Sequence, residues 1–473
     1  MRGPVTALVQ GVVDAEIRCT KAVTGPRTPR RRPKDKLMPV ELIQIDTRKV
    51  LTRIVLLLLV VVATLWSYYA VRWYLGNTMA EYFSASGNTL HIAQVANNLS
   101  PNDPLTNWRL GQVSQKTLPL DQSAAALIEY EKAVSLSPSD YRMWMSLGVA
   151  REQAGDAVKA EAALRQSIAL APSYAYPHWY LGNLLLRSAR YDEAFAELRT
   201  ASDAYPEELR PQLFNLIWQV YGSDFDSLGK AVGSNAEARS QFALYLLKQQ
   251  KFDEGIRMWN VLSEVEKKAN KDIGDSIVST LVAAVRFHDA AAVWNALSPN
   301  SSYQVEEGQV DDGSFEEIFT YGPEVVFGWQ VKSAPQAQIG IDPDVSHGGK
   351  RSLRLQFLVR SQLEGIGVSQ LLTVAQDSTY DFECFVRTDK LQTGGAPVVQ
   401  ILDANAGALL GESEVAPNGT NDWKRLAFTF KTTSKTEAVV LKITRASCGG
   451  EETTICPIFG SVWYDDFSFK RHN

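Results

Sequence analysis

Three hydrophobic patterns follow one another along the chain. The first is an unbroken apolar run, Ile54 to Val71, 18 residues without a charge. At about 1.5 Å per residue it spans roughly 27 Å, close to the hydrocarbon thickness of a bilayer. The second, residues 91–299, has helical periodicity broken at Pro and Gly-containing turns. The third, residues 304–473, alternates apolar and polar positions with period two between Gly, Asn and Asp turns. Its candidate strands are "KRSLRLQFLV", "IGVSQLLTV", "TYDFECFVRT", "APVVQILDA", "KRLAFTFKT", "AVVLKITRA" and "SVWYDDFSF". These patterns predict a multi-domain α and β chain: a single transmembrane helix, an α-helical solenoid, and an all-β sandwich of the jelly-roll kind.

Charge orients the apolar run. Residues 1–53 hold 12 Lys and Arg against 5 Asp and Glu, whereas no Lys or Arg lies between Trp73 and Leu99. Trp66, Tyr68, Tyr69, Trp73 and Tyr74 gather at its C-terminal end, as an interfacial aromatic belt does. The positive-inside rule then places the N-terminus in the cytoplasm. The later domains fall outside the inner (cytoplasmic) membrane, in the periplasm or extracellular space. A cleaved signal peptide is the alternative, but no small-x-small site follows the run closely. Met38 is a second candidate start with the same topology. The basic stretch Arg27 to Lys36 is read as part of this asymmetry. With a net charge of −5, no nucleic-acid partner is expected.

Of the four cysteines, Cys19 falls in the cytoplasmic tail and Cys384 in an alternating strand, as a small buried hydrophobe. Cys448 and Cys456 bracket a loop, and in an oxidising exterior they are expected to form a disulfide. Asn98, Asn300 and Asn418 stand in N-x-S/T sequons.

Within 91–299, the segments from Tyr141 and from Ala175 align at an offset of 34. Leu147 and Gly148 match Leu181 and Gly182; Ala160 matches Ala194, Leu164 matches Leu198, and Pro172 matches Pro206. Trp144 opens the first copy; in the second, His178 holds that slot and Trp179 follows it. This resembles the tetratricopeptide repeat. An earlier copy starts near Pro104, with Leu110-Gly111, Ala126, Ala133 and Pro138. Weaker copies cover 236–270 and the stretch ending in "RFHDAAAVWNALSP", while 207–235 matches poorly. The resemblance implies stacked helical hairpins, with Gly148, Gly182, Ala160 and Ala194 allowing close approach and Pro172 and Pro206 ending helices. It also implies a concave surface for a protein or peptide partner. Trp144, Trp179, Trp259 and Trp294 are all expected in the interhelical core.

In the third region, "DDGSFEE", "FGWQV", "HGGKRSLRLQF", "TYDFECFVRT", "NDWKRLAFTF" and "VWYDDFSF" occur in an order that resembles the family 4/9 carbohydrate-binding modules, jelly rolls within the galactose-binding-like folds. The resemblance implies a structural calcium, with side-chain oxygens from Glu316 and from Asp465 or Asp466, and carbonyls from Gly313 and Lys350. Strand alternation puts Asp465 on the same face as Trp463 and Phe467. Trp329, Trp423 and Trp463 match positions that are core in the family. Phe319, Tyr321 and Phe327 lie in an early insertion, exposed or packed in the core or loop.

Five His occur, at 91, 178, 288, 347 and 472, none in a metalloprotease or nucleophile motif. No phosphate-binding loop and no singled-out carboxylate pair suggests catalysis, so no enzyme is expected. The expected organisation is a basic cytoplasmic tail (1–50), a transmembrane helix (51–75), a linker (76–90), tetratricopeptide-type repeats (91–299) and the sandwich (304–473). The expected function is a membrane-anchored envelope scaffold whose repeats bind a protein and whose jelly roll binds glycan, in exopolysaccharide or cell-envelope assembly. The alternative is a purely protein-binding scaffold whose sandwich binds no sugar.

Overall fold

The computed structural model describes residues 48–82, 89–117, 123–222, 224–298, 304–317, 326–332, 337–358, 367–446, 448 and 456–472. The chain divides into two compact units, residues 1–71 and 72–473. The basic cluster Arg27–Lys36, Cys19, Met38, Asn300, Phe319 and Tyr321 lie outside the described residues.

In the first unit, the described chain is residues 48–71, chiefly the apolar part of helix α1 (Val50–Tyr82), whose aliphatic side chains other than Leu56 are exposed. A 33-residue helix with this composition is long enough to cross a bilayer. It fits a membrane anchor or a signal sequence.

The second unit begins with the last turns of α1. Gly76 and Ala80 are buried there, Gly76 against Ala96 of α2 (Thr89–Leu99) and Ser100, just ahead of α3 (Pro104–Thr117). Asp103 fixes the junction. Its Oδ1 accepts from the amides of Leu105 and Thr106, the unsatisfied donors of a helix start. Its Oδ2 accepts from Trp73 Nε1 at 2.7 Å and from Asn77. The expected linker thus opens as helix up to Tyr82, and residues 83–88 lie outside the described chain.

The array continues through α4 (Ser123–Leu136), α5 (Tyr141–Gln153), α6 (Ala157–Leu170), α7 (Ala175–Arg187), α8 (Tyr191–Ala204), α9 (Pro206–Tyr221), α10 (Phe225–Val232), α11 (Ala236–Lys248), α12 (Phe252–Asn260), α13 (Glu264–Ala269), α14 (Lys271–Ala283) and α15 (Phe287–Leu297). Antiparallel neighbours pair as α3–α4, α5–α6, α7–α8, α11–α12 and α14–α15. Asp140, Asp156 and Asn235 cap α5, α6 and α11 through their side chains. The repeat glycines sit where no side chain fits. A Cβ on Gly148 would lie 2.6 Å from Leu164, and one on Gly182 would lie 2.6 Å from Leu198. Ala160 and Ala194 are fully buried opposite them. Pro172 lies in the turn after α6. Pro206 starts α9 and does more than end α8, since its missing N–H costs nothing at a first helical position. The poorly matching stretch 207–235 is α9 and the short α10, whose Leu213, Phe214, Ile217 and Leu228 join the same core.

The sandwich holds β1 (Gln330–Lys332), β2 (Ala337–Asp342), β3 (Ser352–Phe357), β4 (Gly367–Thr373), β5 (Thr379–Thr393), β6 (Pro397–Asp403), β7 (Leu409–Glu412), β8 (Gly419–Lys431), β9 (Ala438–Arg445) and β10 (Ile458–Arg471). Two antiparallel sheets form, β1-β4-β9-β6-β7 and β2-β3-β10-β5-β8. Leu353, Leu355, Phe382, Cys384, Val399, Leu441, Val462 and Tyr464 fill the space between them. The expected fold class therefore holds: apolar helix, helical repeats, β-sandwich.

Repeats and sandwich share a core. Phe327, from the segment before β1, is only 2% exposed and belongs to the cluster built by α8 to α15. Trp294 of α15 meets it edge-on at 6.0 Å, and Leu371 on the outer face of β4 packs against the same cluster. Val305 is tied to Asn295 by two hydrogen bonds. Replacing Phe327 with alanine should cost about 3–5 kcal/mol, as for a buried Phe elsewhere. We expect calorimetry of Phe327→Ala to resolve two transitions where the parent unfolds in one. A single transition at unchanged temperature would show that this contact does not couple the two parts.

Candidate functional site

Two places gather unusual chemistry. The first is a groove in the helical array. Position by position, the repeat directs some side chains of α5 and α7 away from the interhelical core, where they line a cavity of about 650 Å³. Val149, Gln153, Trp179, Tyr180 and Leu184 form much of its wall, with Asn183 beside them. Arg187 and Glu152 close one side as an ion pair. The four repeat tryptophans all belong to or pack against the helical cores, as expected; Trp259 is fully buried, while half-buried Trp179 also lines the groove and Trp294 also meets Phe327. Trp144 is half-buried, its Nε1 donating to the Pro138 carbonyl at 2.8 Å. The signal for Trp179 was its one-residue offset, which rotates it about 100° around the helix from the slot held by buried His178. His178 is a packing residue, bridging Glu197 and the Pro172 carbonyl.

The second place is the corner where the first and last segments of the sandwich meet. Gly313 O accepts from Phe467 N at 2.9 Å. Glu316 Oε1 accepts from the amides of Lys350 and Arg351, at 2.5 and 2.9 Å. Asp465 Oδ2 accepts from the amides of His347 and Gly348, at 2.7 and 3.2 Å, and its Oδ1 accepts from Asp466 N at 2.8 Å. Asp466 pairs with His347 Nδ1 at 2.6 Å. Glu316, Asp465 and Asp466 thus converge on the loop that carries Lys350, while Gly313 is tied to β10 at Phe467.

A bulge shapes this corner and corrects the simple alternation. The register of β10 against β5 shifts between Asp465 and Ser468, with Asp466 at φ 51°. Asp465 stays on the outer side with Trp463, while Phe467 turns into the core against Phe315 and Trp329. Asp465 is fully buried beneath the loop. Burial pushes its carboxyl up to about 6, against the pull of its three N–H donors. Desolvation also raises Asp311 and Asp312 to about 6. Glu316 moves the other way, held down first by the Lys350 amide.

The donors here are hard oxygens, which suits a calcium ion. The expected ligand set needs only two carboxylates, the rest being carbonyls. Among the described residues no group of three or more His, Cys, Asp or Glu is arranged around a metal position. Glu316, Asp465 and the Gly313 carbonyl already have N–H partners, so a cation must share or displace them.

Trp329 and Trp463 are buried, but Trp423 is half-buried on the outer face of β8, against the core expectation. Cys448 and Cys456 are joined, their Cα atoms 6.1 Å apart. The buried Arg445 guanidinium donates to the Cys456 carbonyl and to Gly395 O beside them. Cys384 is fully buried, which pushes its thiol far up and makes it inert.

No family model and no curated protein matches the chain. Solved structures similar to parts of it include a crystal structure of MamA, at 17% identity over 36% of this chain and 82% of that one, with a TM-score of 0.24. A CBM4 structure is 13% identical over 34% and 99% of the two chains, with a TM-score of 0.27. The CBM22-1 xylan-binding domain of Paenibacillus barcinonensis Xyn10C is 16% identical over 35% and 97%, with a TM-score of 0.25. The chain itself has a region of stacked helical hairpins followed by a β domain of two antiparallel sheets. Likeness at this level says nothing about ligands.

Proposed function

We propose that the protein is a non-catalytic scaffold, anchored through α1 in the inner (cytoplasmic) membrane. Its repeats hold a segment of a partner protein and its sandwich engages glycan, in exopolysaccharide or cell-envelope assembly. The groove at Trp179 carries this reading. It offers an indole and a phenol as rigid contact area, flanked by amides that can pair with an extended main chain. Its mostly apolar wall, edged by Gln153, Asn183 and the Arg187–Glu152 pair, suits a peptide segment that carries an apolar side chain. In this reading the sandwich binds sugar beyond the reach of the repeats.

A second reading has a specific observation in its favour. The outer face of the sheet β1-β4-β9-β6-β7 carries no aromatic residue among the described residues, and α15 contacts β4 there. The sandwich would then serve as the end cap of the array, and no polysaccharide would bind the full chain.

A photo-crosslinker at Asn183 should capture a discrete partner in cells, and one at the exposed Val158 should not. Trp179→Ala should weaken that capture at least tenfold while helical content by circular dichroism stays that of the parent, with a lowered Tm because Trp179 packs against two helical cores. Equal capture from both positions, or indifference to Trp179→Ala, would remove the groove from the function.

The membrane reading predicts that alkaline phosphatase fused after residue 473 is active in intact bacterial cells, and that a fusion after Met38 is inactive. The opposite pattern would reverse the topology and remove the oxidising surroundings of Cys448 and Cys456.

We further propose that the corner at Glu316 and Asp465 holds a structural calcium, with Asp466, Gly313 and Lys350 as the remaining oxygen donors. A bound cation would offset the burial of carboxylates that desolvation disfavours. At neutral pH, calcium at about a hundred times its Kd should add about 2.7 kcal/mol to stability, read as a rise in Tm that EDTA reverses. Equal Tm in calcium and in EDTA would mean that backbone amides alone hold the corner.

A further inference from the structure

The outer face of the other sheet, β2-β3-β10-β5-β8, is built differently from the face that α15 touches. One row of cross-strand neighbours runs Gly340, Arg354, Trp463 and Arg387 along the register. It ends on β8 in a bulge. Val386 pairs with Lys424 and Thr388 with Asn421, so Arg387 faces Asp422 and Trp423 together. Guanidinium and indole therefore alternate across four strands: Arg354, Trp463, Arg387, Trp423. With strands about 4.8 Å apart this row is about 14 Å long, the scale of a short oligosaccharide.

The two tryptophans differ. Trp463 is buried, with the Arg354 guanidinium over its ring at 5.4 Å and its Nε1 donating to Asp342 Oδ2 at 2.8 Å. Trp423 is half-buried and flanked at 5.6 Å by His347, which stacks on Phe385 at 3.7 Å. The next row along the strands reads Gln338, Gln356, Ser461 and Asp389, all hydrogen-bonding side chains.

The charges on this face are mostly spoken for. Asp342 takes Trp463 and the Asp344 amide. Glu383 pairs with Arg425. Asp389 accepts from Thr420. Asp466 holds His347. Among the described residues the Arg387 guanidinium has no ion pair and no hydrogen bond, while Asp422 stays exposed in the bulge.

We propose that this face is a binding site for an acidic, uronate-containing glycan. A pyranose ring lies on Trp423, the carboxylate of that or the neighbouring sugar meets Arg387 as a bidentate pair, and the row from Gln356 to Asp389 hydrogen-bonds the hydroxyls. The proposal rests on the glycan reading of the sandwich and names its face, its residues and its ligand class. The face turned to the repeats lacks both an aromatic platform and open space near β4, so it offers the weaker surface.

The test titrates the full chain in detergent micelles with oligogalacturonate and with xylohexaose, the second being a neutral chain of comparable length. Oligogalacturonate should bind at least tenfold more tightly than xylohexaose, and weaken with rising salt. Arg387→Gln should remove that preference, Trp423→Ala should weaken both ligands at least tenfold, and Asp422→Asn should tighten oligogalacturonate. Lys442→Ala, on the opposite sheet, should change nothing. Arg387→Gln is a surface change and keeps the test valid if Trp423→Ala unfolds. Equal binding of both ligands, or indifference to Arg387→Gln, overturns the acidic class. Binding lost in Lys442→Ala but kept in Trp423→Ala places sugar on the other sheet, overturning this site and leaving the glycan reading. Binding of neither probe overturns the proposal as stated; the glycan reading itself falls only if a wider set of polysaccharides, alginate and galactan among them, also fails to bind.

Discussion

A helical hairpin has two broad faces and can bury only one within itself. Everything in the second unit follows from where the other face goes. Within a hairpin the two helices close so tightly that Gly148 and Gly182 leave no room for a Cβ; in the middle of the array the other face goes to the next hairpin, where α4 meets α5, α6 meets α7 and α8 meets α9. At the ends no further hairpin is available, and other elements are recruited. The last turns of α1 cover the first hairpin through Gly76, Ala80 and the Trp73–Asp103 bond. At the other end Phe327 and Leu371 of the sandwich cover Trp294 and α15. The sandwich is therefore part of the solenoid's closure as well as a module with surfaces of its own.

The same logic explains what could be read from residues alone. Gly148, Ala160 and Leu164 recur as Gly182, Ala194 and Leu198 because one packing problem is solved twice, and a periodic solution leaves a periodic trace. Trp179, displaced by one position from the repeat slot, still packs against the helical cores but also lines the groove, and a pattern that names buried slots says nothing of what such a residue lines. Phe327 left no trace, since its partners Trp294 and Leu371 are distant in sequence and belong to different kinds of structure. Strand existence was legible from alternation, and the short β1, β2 and β7 were not, having three to six residues to show a period.

The two adjacent acids of β10 mark the limit of period-two reasoning. Alternation assumes an unbroken ladder, and Asp465-Asp466 is where the ladder breaks. The extra residue of the bulge turns Phe467 inward to meet Phe315 and Trp329. An apolar residue at that site would leave the His347 and Gly348 amides without Asp465 Oδ2 as acceptor. Two acids in one strand are thus an acceptor for a loop and a hinge for the core, whether or not a cation joins them.

That loop links the corner to the outer face of the second sheet. Asp465 and Glu316 grip the main chain of 347–351, and the gripped loop sets His347 on Phe385 and beside Trp423. β10 itself carries Trp463 two residues before Asp465, so the strand that forms the corner also forms the middle of the Arg–Trp row. A shift of the loop would move His347 and open Phe385, altering the wall against which Trp423 rests. Anything that tightens the corner acts on that wall through main-chain hydrogen bonds and through the Asp466–His347 side-chain pair. Order at the corner and shape at the face are for this reason one property of the sandwich.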